Sequence, residues 1–366
     1  MQVNPSQLMP GCVLISDVIG KTNRPIIPKN TVLTAYHITV LEKFLVESVD
    51  VAAKLQDGEL FTPKQIQKEK GEQAIPEVEK TNKVPERFTA HYLAVVEQYQ
   101  KLFTSWQNHV PIDMPSVRKL LIPLFERTVE IGPEVLTLNR FVPKHDYFYH
   151  HGVAVGMLAA YLAKKMGYPE GKWLQIGLAG FLCDCGMAKI DPKMVGKESI
   201  LTESEQAEIK KHPIYSYRMI EHIPFIKQEV KLAVLQHHER FDGSGYPLGL
   251  SKQKIHIYAR IIAICDTYHA ITCERSYRKK QSPFRAIEEL RHERFSQLDH
   301  HVVQTFIRCL TNYSPGTRVR LSNQQTGEIV FMEDNYPTRP IVRMDETGNV
   351  ISLKDDTALF IDEILP

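Results

Sequence analysis

The sequence predicts a mainly α-helical protein with a small mixed module at its N terminus and a small antiparallel β module at its C terminus. From Glu86 onward, apolar residues recur with helical spacing, and strand signals are scarce as far as residue 312. After Ser314 the pattern changes to alternating apolar and polar residues separated by polar turns. These changes divide the chain into a mixed module (1–55), a polar linker (56–85), a helical domain (86–312) and a β module (313–366).

The N-terminal module combines short strand signals with one helix signal. Residues 11–15, 25–27 and 48–51 are predicted strands, and residues 34–44 form a predicted amphipathic helix. The module contains no pattern typical of a catalytic site, so we interpret it as a docking or sensory module or as a structural cap. The following segment is rich in Lys, Glu and Gln and contains several prolines, which predicts a flexible or solvated linker.

Three apolar helices are predicted to form the centre of the helical domain. Residues 146–166 form a long helix that carries His150 and His151, and residues 172–182 form a second helix with Asp184 at its end. Residues 259–266 are another buried run, and it ends in the carboxylate of Asp266. The sequence therefore predicts an all-helical core with polar side chains near the helix ends.

The C-terminal module is predicted from five short alternating segments, residues 318–321, 328–331, 340–343, 350–352 and 359–361. Residues 345–349 form the clearest turn between them. The pattern indicates a small antiparallel sheet or barrel. We interpret it as a structural appendage of the helical domain.

Composition and charge restrict the classes of partner. The 366 residues are 43% apolar and 24% charged, as in ordinary globular proteins, and the net charge is +2. This charge argues against a nucleic-acid polymer as partner and against a polybasic membrane anchor. The chain opens without an apolar leader, and its longest apolar run is too short for a membrane span. We therefore expect a cytoplasmic protein whose six cysteines are not a disulfide framework.

One stretch of the helical domain has an unusual composition: residues 237–247 have the sequence HHERFDGSGYP. His237 and His238 close a helical pattern. Neighbouring positions on a helix point about 100° apart, so two such rings approach one metal ion most readily at a helix end. Gly243 and Gly245 then allow a sharp turn and a close approach of the backbone to a ligand.

Six side chains of the helical domain are candidate metal ligands. Imidazole and carboxylate ligands suit Fe, Mn, Zn or Ni, and one carboxylate can bridge two ions. Two bridged ions would hold a hydroxide in line with a phosphorus atom and offset the charge of the phosphate oxygens. The candidates lie on five segments: His151, Asp184, His212, His237 with His238, and Asp266.

These motifs resemble those of the HD-GYP phosphodiesterases. Residues 237–247 match the signature HHExxDGxGYP without a gap, Asp184 matches the aspartate of the HD doublet, and residues 275–278 (RSYR) resemble the RPYR string. The resemblance covers residues 140 to 310 approximately. It implies an HD-superfamily helical core and a signalling enzyme that hydrolyses cyclic di-GMP to linear pGpG or to GMP.

The resemblance also implies a role for each site residue. Asp184 would bridge two divalent ions, with Fe or Mn favoured and Zn or Ni as alternatives, and Lys189 would join it in catalysis. Independently of the resemblance, protein partners of the terminal modules and a homodimer are further expectations. One ion would be bound by His151 and Asp266, and the other by His212, His237 and His238. The substrate would be bound by Arg275, Arg278, Tyr246 and Gly245.

The chain departs from the family pattern at four positions near this site. Cys183 replaces the histidine of the HD doublet, and its thiolate could remain a metal ligand. Tyr147 stands where some members carry a glutamate for a third metal, which argues for at most two ions. His269 replaces the second aspartate of a DxxD pattern, and Ser216 replaces a glycine. Two hypotheses follow: an active phosphodiesterase, or a degenerate member that binds nucleotides or protein partners without turnover.

Overall fold

The structure is a computed structural model that describes residues 1–19, 25–34, 37–38, 41, 46, 48–63, 86–143, 146–195, 197, 199–274, 280–292, 296–310, 315–333 and 336–365. The chain divides into two compact units, residues 1–79 and residues 80–366. Within the described residues, no helix has the length and apolar character needed to cross a membrane.

The first unit is built from two short antiparallel strand pairs. Strand β1 (Gln2–Val3) pairs with β4 (Val49–Asp50), and β2 (Val18–Ile19) pairs with β3 (Pro25–Ile27). Apolar side chains between them form a small core, and Phe61 belongs to it, so the described part of this module continues beyond residue 55. Other members of this core are Leu8, Leu14, Leu33, Leu41 and Val51.

The predictions for this unit are confirmed in part. Strands are present at β3 and β4 as predicted. Residues 11–15 do not form a continuous strand; Val13 and Leu14 make isolated bridges to Val32 and Val51. β1 was not predicted, because two residues are too few to show an alternating pattern. The predicted helix at 34–44 and the predicted linker at 56–85 fall largely outside the described residues.

The second unit begins with a long helical region, which confirms the predicted mainly α-helical core. Short 3-10 turns at Gly132–Phe141, Cys185–Lys189 and Lys252–Lys254 connect several of its helices. The α-helices are α1 (Glu86–Gln107), α2 (Met114–Glu126), α3 (Thr128–Ile131), α4 (Tyr147–Lys165), α5 (Glu170–Leu182), α6 (Pro192–Val195), α7 (Glu203–Ile209), α8 (His212–Ile220), α9 (Gln228–Gln236), α10 (Ile257–Thr272), α11 (Pro283–His292) and α12 (His300–Leu310).

Helix α4 is the centre of this unit. Its residues from His150 to Ala163 are buried on every side, as expected of a helix that is apolar all round. Helices α5 and α10 pack against it. The prediction that the third apolar run ends at Asp266 is wrong, because α10 continues to Thr272. Residues 267–272 include further buried side chains, and Cys273 is the first residue with an extended backbone.

Glycines allow α4 and α5 to pack closely. A Cβ atom built on Gly177 of α5 would lie 2.8 Å from the Cβ of Ala160 and 3.0 Å from the carbonyl oxygen of Gly156, both on α4. A Cβ on Gly180 would lie 3.0 Å from the carbonyl oxygen of Val155. Because α4 carries His151 and α5 leads into Asp184, this close packing sets the separation of two candidate ligands.

The C-terminal module is a five-stranded antiparallel sheet with the order β8-β7-β6-β5-β9. Of the alternatives predicted, the open sheet is therefore the observed form: edge strands β8 and β9 are not paired with each other in the described part of the chain. Buried residues such as Val319 and Ile329 join the same apolar cluster as the helices. Arg339 also fixes the sheet to α11, through bonds of 2.5 and 2.8 Å to the Glu288 carboxylate. The strands are β5 (Arg318–Leu321), β6 (Thr326–Phe331), β7 (Ile341–Met344), β8 (Val350–Ser352) and β9 (Ile361–Ile364).

The close packing of α4 and α5 can be tested with a pair of alanine substitutions on one helix. Gly177→Ala places a methyl group against Ala160, so we expect a loss of about 1–3 kcal/mol of folding stability. Gly171→Ala, near the start of the same helix, has open space around the new methyl group and should be neutral or stabilising by up to about 1 kcal/mol. Chemical denaturation measures both. Equal stability of the two variants would contradict the packing argument.

Candidate metal centre

The structure brings the six predicted imidazole and carboxylate ligands together at one end of the helical core. Local features of the sequence explain the positions of two of them, Asp184 and His212. α5 ends just before Asp184, and Pro213 follows His212 in the first turn of α8, a position that suits proline. The six side chains are His151 in the first turns of α4, Asp184 after α5, His212 at the start of α8, His237 and His238 after α9, and Asp266 within α10.

The first group of ligand atoms surrounds one carboxylate oxygen. Oδ1 of Asp184 lies 3.1 Å from Nε2 of His212 and 3.3 Å from Nε2 of His237, and these two nitrogens are 3.2 Å apart. His238 completes the group, since ligand atoms of all four residues lie within 4.8 Å of one another. As predicted, adjacent His237 and His238 reach one centre just beyond a helix end.

Backbone contacts fix the orientation of two of these rings. Nδ1 of His212 lies 2.7 Å from the carbonyl oxygen of Ile209, and Nδ1 of His237 lies 2.8 Å from that of Val234. A carbonyl oxygen can only accept a hydrogen bond, so each Nδ1 carries the proton. In a neutral ring the lone pair on Nε2 then faces Asp184.

Such an arrangement requires positive charge at its centre. Two imidazole lone pairs and a carboxylate oxygen at about 3 Å repel one another unless a ring gains a second proton or a cation lies between them. Imidazole nitrogens held by backbone carbonyls and an ionised carboxylate are an ordinary donor set for a divalent metal ion. The residues present therefore fit a metal ion.

A second group of ligand atoms lies on the other side of Asp184. Nε2 of His151 is 3.0 Å from Oδ1 of Asp266 and 3.7 Å from Oδ2 of Asp184. Nδ1 of His238 is 3.8 Å from the other oxygen of Asp266. The two oxygens of Asp184 thus face two different sets of ligands, which is the geometry of a bridging carboxylate.

The local electrostatics favour the protonation states that metal binding requires. Burial alone would raise the pKa of the Asp184 carboxyl, but its contacts with His212 and His237 outweigh burial and hold this pKa well below its usual range. For Asp266, burial is likewise outweighed, by His151 and His238, and the pKa of its carboxyl is lowered. Burial, reinforced by His237, lowers the pKa of the His238 imidazole well below its usual value. Near neutral pH both carboxyls are therefore ionised and His238 is neutral, as ligands must be.

The loop after the paired histidines is held in place by a residue that the sequence analysis did not single out. Glu239 is buried, and its two carboxylate oxygens accept the backbone N–H groups of Leu248 and Leu250 at 2.6 and 2.8 Å. A glutamate directly before a glycine-rich turn, whose N–H groups need acceptors, could have suggested this role. Its clamp keeps the loop beside the metal centre.

The predicted substrate residues of this loop lie at the centre. The ring of Tyr246 stacks on the His238 ring with 4.7 Å between centroids. The backbone N–H of Tyr246 donates to the backbone carbonyl oxygen of His238. Gly245 packs so tightly that a Cβ atom there would lie 2.3 Å from the backbone nitrogen of Arg240. Lys210, which the sequence analysis did not identify, places its amine 5.7 Å from the Tyr246 ring centroid. The loop therefore presents an aromatic ring beside the ligands, with a cation next to it.

Two other predicted site residues, Cys183 and Lys189, lie outside the ligand groups. Sγ of Cys183 lies 3.1 Å from the carbonyl oxygen of Gly180 as a donor, and burial, with the nearby Asp184, raises the pKa of this thiol well above its usual value. Lys189 donates from Nζ to the carbonyl oxygen of Trp106 at 3.0 Å. Arg275 and Arg278 lie outside the described residues.

Ser216, one of the departures from the family pattern, ties α8 to the turn that carries Asp184. Its hydroxyl donates to the carbonyl of Cys183 at 2.6 Å and accepts the N–H of Gly186 at 2.7 Å. Gly186 itself has no room for a Cβ atom, which would lie 2.3 Å from the backbone nitrogen of Ser216. A glycine at position 216 could not make these two bonds, so the serine strengthens the support of Asp184.

Comparison with known proteins agrees with this geometry. Residues 137–302 match the family model described as "HD domain". The chain is 34% identical to a cyclic di-GMP phosphodiesterase of Pseudomonas aeruginosa over 57% of this chain and 50% of that protein. It is 28% identical to cyclic di-GMP phosphodiesterase PdeB of Borreliella burgdorferi, over 60% of this chain and 58% of that protein, and 31% identical to 3'3'-cGAMP-specific phosphodiesterase 1 of Vibrio cholerae, over 52% and 45%.

Residues 137–302 are thus similar to the HD domain family, and the predicted resemblance of the chain to the HD-GYP phosphodiesterases is confirmed. The matched region includes every ligand described above. The chain spans about half the length of the curated relatives it matches.

The position of Cys183 gives a prediction about metal content. Because its thiol faces Gly180, Cys183→Ala should bind as many metal ions per chain as the unaltered protein. The substitution should lower folding stability by about 1 kcal/mol, since it removes a small buried group. Elemental analysis of both proteins after identical purification provides the measurement. Loss of one ion per chain would instead make the sulfur a ligand.

Proposed function

We propose that this protein is a metal-dependent phosphodiesterase that hydrolyses cyclic di-GMP to linear pGpG or to GMP. The observation that carries the proposal is the convergence of six imidazole and carboxylate ligands on two neighbouring points, with one oxygen of Asp184 at each. Paired metal ions held in this way act on phosphodiesters. The similarity to curated relatives that are named cyclic di-GMP phosphodiesterases supports this choice of substrate.

Each ligand has a role in this proposal. Asp184 would bridge two metal ions. The ligand atoms are nitrogen and oxygen, with no thiolate from Cys183, and this set suits Fe or Mn. When bound, the metal pair supplies activation of a water molecule and compensation of charge on the phosphate oxygens. The other ligands are His212, His237 and His238 for one ion, and His151 and Asp266 for the other.

The chain's own residues orient the substrate. The ring of Tyr246 is placed to contact a guanine or ribose beside the metal centre, and the amine of Lys210 lies close enough to contact a phosphate. We assign phosphate binding to Arg275 and Arg278 as well, because a guanidinium binds a phosphodiester with two parallel hydrogen bonds. Gly245 lets the loop approach the centre without a side chain.

Two further assignments complete the proposal. Lys189 anchors the turn after Asp184 through its bond to Trp106, so we assign it a structural role in place of the catalytic one first predicted. A cytoplasmic location follows from the family resemblance and is part of the proposal.

The proposal is tested by removing ligands one at a time. His237→Ala and His238→Ala should each lose metal and reduce the turnover of cyclic di-GMP on the order of 100-fold or more. Helical content should stay within error of the unaltered protein, because both residues lie beyond the last turn of α9. Elemental analysis, circular dichroism and chromatography of the reaction products give the three readouts.

His222→Ala is the matched control, since that side chain is 91% exposed and contacts Glu221, outside the ligand groups. It should keep full metal content and activity. Full metal occupancy in His237→Ala and His238→Ala would contradict the proposed site. If the two variants lose metal but the unaltered protein does not hydrolyse cyclic di-GMP, the proposed metal site stands and the proposed activity is contradicted.

A further inference from the structure

Two departures from the family pattern meet at a single atom of a metal ligand. Nδ1 of His151 lies 2.8 Å from the hydroxyl oxygen of Tyr147 and 2.9 Å from Nδ1 of His269. Tyr147 precedes His151 by one turn of α4, and His269 follows Asp266 by one turn of α10. His269 is buried, so its polar contacts influence the site strongly.

The partner of Nδ1 determines which nitrogen of His151 carries the proton. A neutral imidazole has one N–H and one lone pair. If Nδ1 donates to His269, the lone pair is on Nε2, the atom that faces Asp184 and Asp266. If Nδ1 instead accepts the hydroxyl proton of Tyr147, the N–H is on Nε2 and donates to Asp266 at 3.0 Å. Nε2 is able to bind a metal ion only where Nδ1 is the donor, either to His269 or to the hydroxyl oxygen of Tyr147, which can also accept.

The surroundings of His269 suit an acceptor role for its Nδ1. The sulfur of Cys273, one turn further along the chain, lies 3.5 Å from Nε2 and 3.7 Å from Nδ1 of His269. Sulfur is a weak hydrogen-bonding group, so the contact with His151 at 2.9 Å is the stronger of the two that Nδ1 makes. With its own proton on Nε2, His269 accepts the N–H of His151 through Nδ1.

We infer that His269 is a positioning residue that sets His151 in its metal-binding tautomer, and that the Tyr147 hydroxyl competes with it. This inference rests on the proposed function, because it concerns the ion held by His151, Asp184 and Asp266. The usual orienting partner of a metal-binding histidine is a carboxylate or a carbonyl oxygen. In this chain a second histidine takes that place.

Two substitutions of His269 separate the hydrogen bond from packing. In His269→Asn the side-chain oxygen occupies the place of Nδ1 and can still accept from His151, although the smaller side chain leaves a void. His269→Leu fills the space better and has the higher helix propensity but cannot accept. Tyr147→Phe removes the competing hydroxyl while keeping the ring.

The measurement is calorimetric titration of Mn²⁺ into metal-free full-length protein at one fixed pH, with thermal unfolding followed in parallel. His269→Leu should weaken one of the two Mn²⁺ sites about 10- to 100-fold. His269→Asn should stay within a few-fold of the unaltered protein, and Tyr147→Phe should bind Mn²⁺ equally well or more tightly.

Three outcomes would overturn the inference: unchanged Mn²⁺ binding in His269→Leu, equal weakening in the leucine and asparagine variants, or weakening in Tyr147→Phe as large as in His269→Leu. The last result would make Tyr147 the orienting partner. Because no substrate is used, these outcomes are distinct from failure of the proposed function. If the unaltered protein does not bind two Mn²⁺ ions, the proposed metal pair fails, and the role of His269 fails with it.

Discussion

A carboxylate with little exposure to solvent needs compensating positive charge, and the Asp184 carboxylate, whose side chain is 16% exposed, imposes this need on the whole helical domain. Its two oxygens face imidazole nitrogens that come from α4, α8 and the segment after α9. Backbone carbonyls of Ile209 and Val234 turn two of those rings toward it, and Ser216 holds the turn on which it lies. The close packing of α4 and α5 then sets the distance across the site. The fold therefore holds imidazole nitrogens and carboxylate oxygens in an arrangement that a bound cation would stabilise.

The sequence was sufficient to predict which side chains lie together at the candidate metal centre, because their chemistry is visible in local patterns. A pair of histidines at a helix end before a glycine-rich turn can reach one centre, and the structure confirms this for His237 and His238. Side-chain direction was not predictable in the same way. Cys183 is adjacent to Asp184 in sequence, yet its sulfur points back toward Gly180 and donates to the carbonyl oxygen of that residue. The clamp that Glu239 forms on the following loop was also missed, since it joins residues nine and eleven positions apart.

The departures from the family pattern lie around the ligands, not among the imidazoles and carboxylates themselves. Ser216 adds two hydrogen bonds that a glycine cannot make. Tyr147 and His269 both contact His151, an encounter between α4 and α10 that their separation in sequence conceals. Such changes are compatible with a working metal centre and alter how firmly one ligand is oriented. Cys183, in place of a histidine, keeps its sulfur outside the ligand groups.

The most direct measurement is the metal content of protein purified anaerobically without chelator, taken together with hydrolysis of cyclic di-GMP by the same sample. The account predicts two Fe or Mn ions per chain and formation of pGpG or GMP. A chelator should remove the ions and abolish product formation, and adding the metal back should restore both the metal content and the activity. A protein that binds cyclic di-GMP tightly but holds at most one ion and forms no product would contradict it. That result would establish a binding protein that has kept the fold and lost the reaction.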